Sequence, residues 1–267
     1  MDLHSMSLTT RRGLTLVDLL IALVLFGLLG TAVARALVGQ RRAAGMLLER
    51  EQAHRTLDQA VSWLSTELAE LGRADSVTDL LRLGADSMSY RAFRSAGLAC
   101  RVAADEVRVR RDQLSLWRMP QPGRDSLLLF LAVDSAPGSG KWTALPITSL
   151  SWSSCSGLPA MQLGTIIDTA RLAGLPHLVP ARTFEAMQLR LYRSQGEWWL
   201  GARSQNAGEV IQPVTGPFAE RGFRLTYRDA EGREVLEPAL VRQLELHVAP
   251  ARLGDSARLV IQPRNLQ

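Results

Sequence analysis

Cysteine, histidine and lysine are scarce in this chain of 267 residues, which holds two cysteines, four histidines and a single lysine, Lys141. With no C-x-x-C and no Cys/His cluster, the spacing of a metal site is missing. No G-x-S-x-G occurs, so there is no nucleophile elbow. The lone lysine follows Ser139 and Gly140, which invites a P-loop. That motif needs glycine at 135 and Ser or Thr at 142, where Ser135 and Trp142 stand. Neither a phosphate cradle nor a magnesium ligand is then supplied. The histidines are dispersed: His4 near the start, His54 in a helical stretch, His177 in a loop between Pro176 and Leu178, and His247 on a strand face with Gln243 and Glu245. An isolated histidine is more often structural than catalytic. The chain reads as no enzyme, with no catalytic residue, no metal ligand and no cofactor.

The net charge is +5, but the arginines run along the whole chain with acids interleaved. Nucleic acid would favour a concentrated patch and is an unlikely partner. Arg108, Arg110 and Arg111 could meet phosphates; the outward face of a strand explains them more simply. Trp198 and Trp199 are adjacent, so on a strand they point to opposite faces and form no shared stacking platform.

What the chain does have is an apolar run. No charge falls between Leu19 and Ala34. With Leu14–Asp18 added, the run is long enough to cross a bilayer, which takes about 20 helical residues. Its Leu, Ala, Val, Ile and Phe content lets one helix satisfy every backbone group. Arg11 and Arg12 precede it, with Asp2 as the only counter-charge. The positive-inside bias keeps the N-terminus cytoplasmic. Arg35, Arg41 and Arg42 blur that bias, but a large domain follows, and such domains translocate largely regardless of charge.

Asp18 is the odd residue. A carboxylate in a membrane span costs about 2.5–3.5 kcal/mol on insertion scales. No basic residue lies one turn away, so a partner from another molecule is expected; the blander alternative is a hydrated carboxylate near the interface.

Arg11-Arg12-Gly13-Leu14-Thr15-Leu16-Val17-Asp18-Leu19-Leu20 resembles the processing signal of type IV prepilins and type II secretion pseudopilins. The resemblance implies cleavage by a prepilin peptidase between Gly13 and Leu14, N-methylation of Leu14, and an acid at mature position five, Asp18, that pairs with the α-amine of a neighbouring subunit. The basic leader residues are Arg11 and Arg12. Two departures are visible: the family usually has Phe where Leu14 stands and Glu where Asp18 stands.

More than 200 residues follow the apolar run, enough for a domain with its own core. Outside the cytoplasm, Cys100 and Cys155 are a candidate disulfide; the alternative is two separately buried thiols. From Arg41 to Leu71 there is no proline, and Ala53, Leu57, Val61, Leu64, Leu68 and Leu71 share one helical face. One helix of about 55 residues is predicted, ending near Gly72, with a hinge at Gly39 or Gly45 as the alternative. Strands are predicted over Glu106–Arg110, with Leu114 and Leu116 continuing the pattern, and over Leu127–Val133, Ala144–Trp152, Met187–Tyr192, Trp198–Leu200, Phe223–Tyr227, Glu234–Leu236, Gln243–Val248 and Arg258–Ile261. Pro137-Gly138-Ser139-Gly140 breaks the chain, and residues 156–182 read as an irregular insertion with a short helix near Thr165–Leu172.

The later stretches Ile211-Gln212-Pro213-Val214, Gly222–Asp229 with Gly232, and Leu259–Leu266 resemble parts of PilW-type minor pilins and J-type pseudopilins. The expected fold is therefore α+β and pilin-like: a leader at 1–13, a transmembrane helix at 14–38, its amphipathic continuation at 39–72 and a periplasmic antiparallel head at 73–267. The implied function is that of a minor pilin or pseudopilin of a type IV pilus or type II secretion filament, in the tip or initiation complex. Its implied partners are the prepilin peptidase, other minor and major subunits, and the inner-membrane assembly platform. Its place would be the inner membrane, then the filament tip. The alternatives are a signal-anchored periplasmic binding protein or enzyme, and a competence pseudopilin of DNA uptake.

Overall fold

A run without proline, rich in leucine and alanine, makes the first element a helix. In the computed structural model, which describes residues 15–74, 77–132, 140–172, 178–251 and 256–263, α1 runs Leu16–Ala69, 54 residues. Gly39 and Gly45 lie inside it without interrupting it. The residues up to Glu51 and those from Gln52 onward form separate compact units. In the first unit the large apolar side chains of α1 are exposed, Phe26 at 77%, and this segment is long and apolar enough to cross a membrane.

In the second unit, Ala53, Thr56, Leu57, Ala60, Leu64 and Leu68 of α1 are buried, and Val61 is half-buried. The stripe is the predicted one, widened by Thr56 and Ala60. Beyond it, β1 (Arg73–Ala74) and β2 (Val77–Thr78) pair with each other. The other strands are β3 (Leu80–Leu83), β4 (Ser87–Val102), β5 (Glu106–Arg110), β6 (Ser115–Leu116), β7 (Asp125–Ala132), β8 (Gly140–Pro146), β9 (Ser149–Cys155), β10 (Leu158–Gly164), β11 (Val179–Ser194), β12 (Glu197–Ser204), β13 (Gln212–Arg228), β14 (Gln243–Pro250) and β15 (Ala257–Ile261). They join one antiparallel sheet in which β15-β14-β13-β12-β11-β4-β5-β10-β9 is the main path.

Two 16-residue strands, β4 and β11, pair along most of their length and carry two cores. Toward the C-terminal end of β11, β12 takes its other edge; toward the N-terminal end, β7 does. The first core packs Leu57, Leu64 and Leu68 of α1 on Tyr90, Leu189, Phe223 and Leu246 of the sheet. The second gathers Val107, Val109, Leu127, Leu129, Met161 and Leu163 from β5, β7 and β10. Burial at about 25 cal/mol per Å² of apolar surface is what drives both.

Several strands differ from the sequence reading. Ala144–Trp152 is not one strand: β8 ends at Pro146 and β9 starts at Ser149, with Ile147 buried between them. Residues 156–182 are not an irregular insertion. The Ser156-Gly157 pair, both at positive φ, turns β9 into β10 as a two-residue hairpin, and β11 begins at Val179. Short apolar residues interrupted by Pro159 and Pro180 hid both strands. The helical piece there is a single 3-10 turn, Thr169–Arg171. Glu234–Leu236 makes only a bridge, Arg228 to Glu234; the partner of β13 is β14, reached through the 3-10 turn Pro238–Leu240. Leu116 is exposed rather than part of the inward face.

Candidate functional site

Thr15 and Asp18 set the start of α1. The carbonyl of Thr15 accepts the first helical bond, from Leu19 at 3.2 Å. The Asp18 carboxylate accepts from the Thr15 backbone N–H at 3.1 Å and from its hydroxyl at 2.8 Å, while the Asp18 N–H donates to Thr15 Oγ1 at 3.3 Å. This is a capping box with Asp in place of the usual Glu. Its partner in its own chain is a neutral donor, Thr15, and not a cation. Both bonds land on Oδ2, so Oδ1 is open among the described residues. Thr15 is the residue missed from sequence; a Thr-x-x-Asp before an apolar run was its signal.

Around this cap the helix presents only apolar surface. Leu16, Val17, Leu19, Leu20 and Ile21 are all more than half exposed. Asp18 is the only acid from Leu16 to Val38, and Arg35 the only base. Arg11, Arg12, Gly13 and Leu14 lie outside the described residues, as do His4, His177 and Ser139.

The remaining candidates fall into place on the head. Lys141 and Trp142 sit in β8, where Trp142 packs edge-to-face on Phe130 at 5.6 Å; a strand there is incompatible with a phosphate loop. Arg108 pairs with Glu106 at 2.8 Å, Arg110 with Asp112, and Arg111 lies over Trp152. Arg108 and Arg110 are thus ion-paired within the chain, and Arg111 is engaged by an aromatic face. His54 and His247 are exposed. Trp198 packs against the first core, whereas Trp199 borders Gly216. Cys100 and Cys155 are joined as a disulfide between β4 and β9, with Cα atoms 6.3 Å apart. Among the described residues no group of His, Cys, Asp and Glu could hold a metal ion.

One buried charged cluster has a structural explanation. Glu185 of β11, 1% exposed, accepts from Arg94 at 3.0 and 2.7 Å, from Arg118 at 2.8 Å and from Arg124. Arg118 also grips Asp125 with two bonds of 2.7 Å, and Arg94 reaches Glu67 of α1 at 3.4 Å. Burial works against the Glu185 charge, but three guanidinium groups outweigh it and hold the carboxyl down at about 2. The cluster ties α1, β4, β7 and β11 together where β7 meets β11.

No family model, no curated protein and no solved structure matches the chain. The architecture decides the fold class. The fold is pilin-like: one long apolar N-terminal helix packed, in its later part, on a multi-stranded antiparallel sheet. Among the described residues one helix is able to span a membrane, which fits a single-pass membrane protein.

Proposed function

We propose that this pilin-like protein is a minor pilin or pseudopilin, a structural subunit of a type IV pilus or type II secretion filament that works in the tip or initiation complex. The observation that carries this reading is the first turn of α1, where one carboxylate sits in an otherwise apolar, exposed helix surface. In lipid that carboxylate is costly. Oδ2 is occupied by Thr15, and among the described residues nothing engages Oδ1, which leaves it for a cation.

In this reading a prepilin peptidase cuts after Gly13 and methylates Leu14. The new α-amine of one subunit then meets Asp18 of a neighbour. Subunits wait in the inner membrane with the N-terminus cytoplasmic and the head periplasmic. An assembly platform lifts them, and their helices bundle. The neighbouring cation offsets the desolvation of Asp18 and fixes the register of the helices. A head of this size suits a filament end better than a repeating shaft, because bulk would crowd helical stacking.

The test is co-isolation. Wild-type protein, crosslinked in cells, is expected to come out with other pilin-like subunits, and Asp18→Ala to come out alone while still being trimmed. Equal recovery of neighbours with Asp18→Ala removes Asp18 from this role.

A further inference from the structure

A second feature of the head is independent of the membrane helix. Four residues on β3, β4, β11 and β12 are successive cross-strand neighbours: Arg82 opposite Ser89, Ser89 opposite Gln188, Gln188 opposite Arg203. Met187, Leu189 and Ala202, which alternate with them, belong to the first core, so this row lies on the opposite face of the sheet. At the usual strand spacing, the three steps across these four strands put the two arginine backbones about 14 Å apart. The row lines a cavity of about 490 Å³, bounded at one end by Gln205, Gly208 and Glu209.

The polar groups there are arranged but not used up. Gln205 Nε2 donates to Ser89 Oγ at 2.8 Å, and Arg203 Nε donates to Gln188 Oε1 at 2.7 Å. Ser89 is 4% exposed, and as an acceptor it keeps its own proton to donate. Ser204 borders the cavity through its backbone, whose N–H donates to Glu209 at 3.3 Å; its side chain, opposite Met187, is on the core face of the sheet.

The charge balance is positive. Glu209 is the only carboxylate in the lining, and Arg124 and the Ser204 N–H already engage it. Arg82 has no ion pair among the described residues, and Arg203 keeps its terminal nitrogens. Leu81 is the one large apolar residue in the wall, so an apolar ligand finds little to cover. A bare phosphate is too small to fill the space or to reach both arginines.

We propose that this cavity binds a small oxyanion-bearing, hydroxyl-rich ligand of the acidic-sugar class. The carboxylate would sit on one guanidinium in a two-bond fork, and the hydroxyls would meet Ser89, Gln188 and Gln205.

The experiment titrates the full-length chain in detergent micelles by calorimetry with sodium glucuronate, with glucose and with sodium phosphate. Glucuronate is expected to bind at least about tenfold more tightly than glucose, since loss of a charge-assisted fork costs that much or more. The double variant Arg82→Gln/Arg203→Gln, at two exposed positions, is expected to weaken glucuronate by about tenfold or more with the melting temperature unchanged. Arg224→Gln removes a charge elsewhere on the sheet and is expected to leave the affinity within about twofold. Phosphate binding as tightly as glucuronate, and lost in the double variant, would keep the oxyanion site and discard the sugar. No binding of glucuronate or phosphate at about 10 mM, or an equal loss with Arg224→Gln, overturns the proposal.

Discussion

Asp18 Oδ2 takes two hydrogen bonds from one residue, the Thr15 N–H at 3.1 Å and the Thr15 hydroxyl at 2.8 Å. The cap and the charge at this position are therefore separable. Thr15→Val is expected to loosen the first turn of α1, by about 1 kcal/mol, and to leave co-isolation with other subunits near the wild-type level. Asp18→Asn keeps an acceptor for Thr15 but offers no charge, so it is expected to lose co-isolation as Asp18→Ala does. Hydrogen exchange at the first helical amides reads the cap, and crosslinking in cells reads the association.

Glu185 stabilises the head through its charge, which gives a pH signature. Its carboxyl is held at about 2, below the ordinary value of 4.5. A depressed carboxyl contributes stability above its unfolded value and loses it as the pH falls through the folded one. The melting temperature is expected to hold down to about pH 4.5 and to fall steeply from there toward pH 2. Glu185→Gln leaves the buried Arg94 with only the longer contact to Glu67 and is expected to cost about 3 kcal/mol at neutral pH. A variant that melts like wild type at pH 7 would contradict the role given to this carboxylate.

The Cys100–Cys155 disulfide closes a loop with a sequence separation of 55 residues. In the chain-entropy picture, opening it costs about 4 kcal/mol. Protein denatured without reductant is expected to show no free thiol, and reduced protein to melt markedly lower. Two free thiols in the unreduced chain would contradict the bridge.

Leu64 sits at the centre of the contact between α1 and the sheet and is fully buried. Leu64→Ala is expected to cost about 2–5 kcal/mol. The loss would appear as a lower denaturation midpoint of the head. An exposed neighbour, Ser62, is the comparison: Ser62→Ala is expected to stay within about 0.5 kcal/mol of wild type.

How much of this was legible in the sequence follows from the kind of signal each element leaves. The long helix was legible because Ala53, Leu57, Leu64 and Leu68 repeat at helical spacing over many turns. Strands such as Glu106–Arg110 and Gln243–Val248 were legible because their apolar residues alternate. β10 and the start of β11 were not, because Pro159 and Pro180 read as breakers although both pair within the sheet. The ion cluster was hidden for another reason: Glu185, Arg94 and Arg118 are far apart in sequence, and only the pairing of β4 with β11 unites them. The Arg82–Ser89–Gln188–Arg203 row is of the same kind. Its members carry no local motif, and strand register alone makes them neighbours. At the N-terminus, Asp18 stood out as a lone acid in an apolar run, but its cap by Thr15 went unread.

The central claim is that the chain becomes a filament subunit after losing a short leader, and Gly13 is where it is most exposed to error. Replacing Gly13 by a larger residue is expected to block trimming, because the peptidase must approach the backbone closely there. The most direct measurement is the intact mass and N-terminal sequence of the wild-type protein isolated from its native membrane. A chain that begins at Leu14 and carries one methyl group on its α-amine is the predicted result; a chain that still begins at Met1 would contradict it.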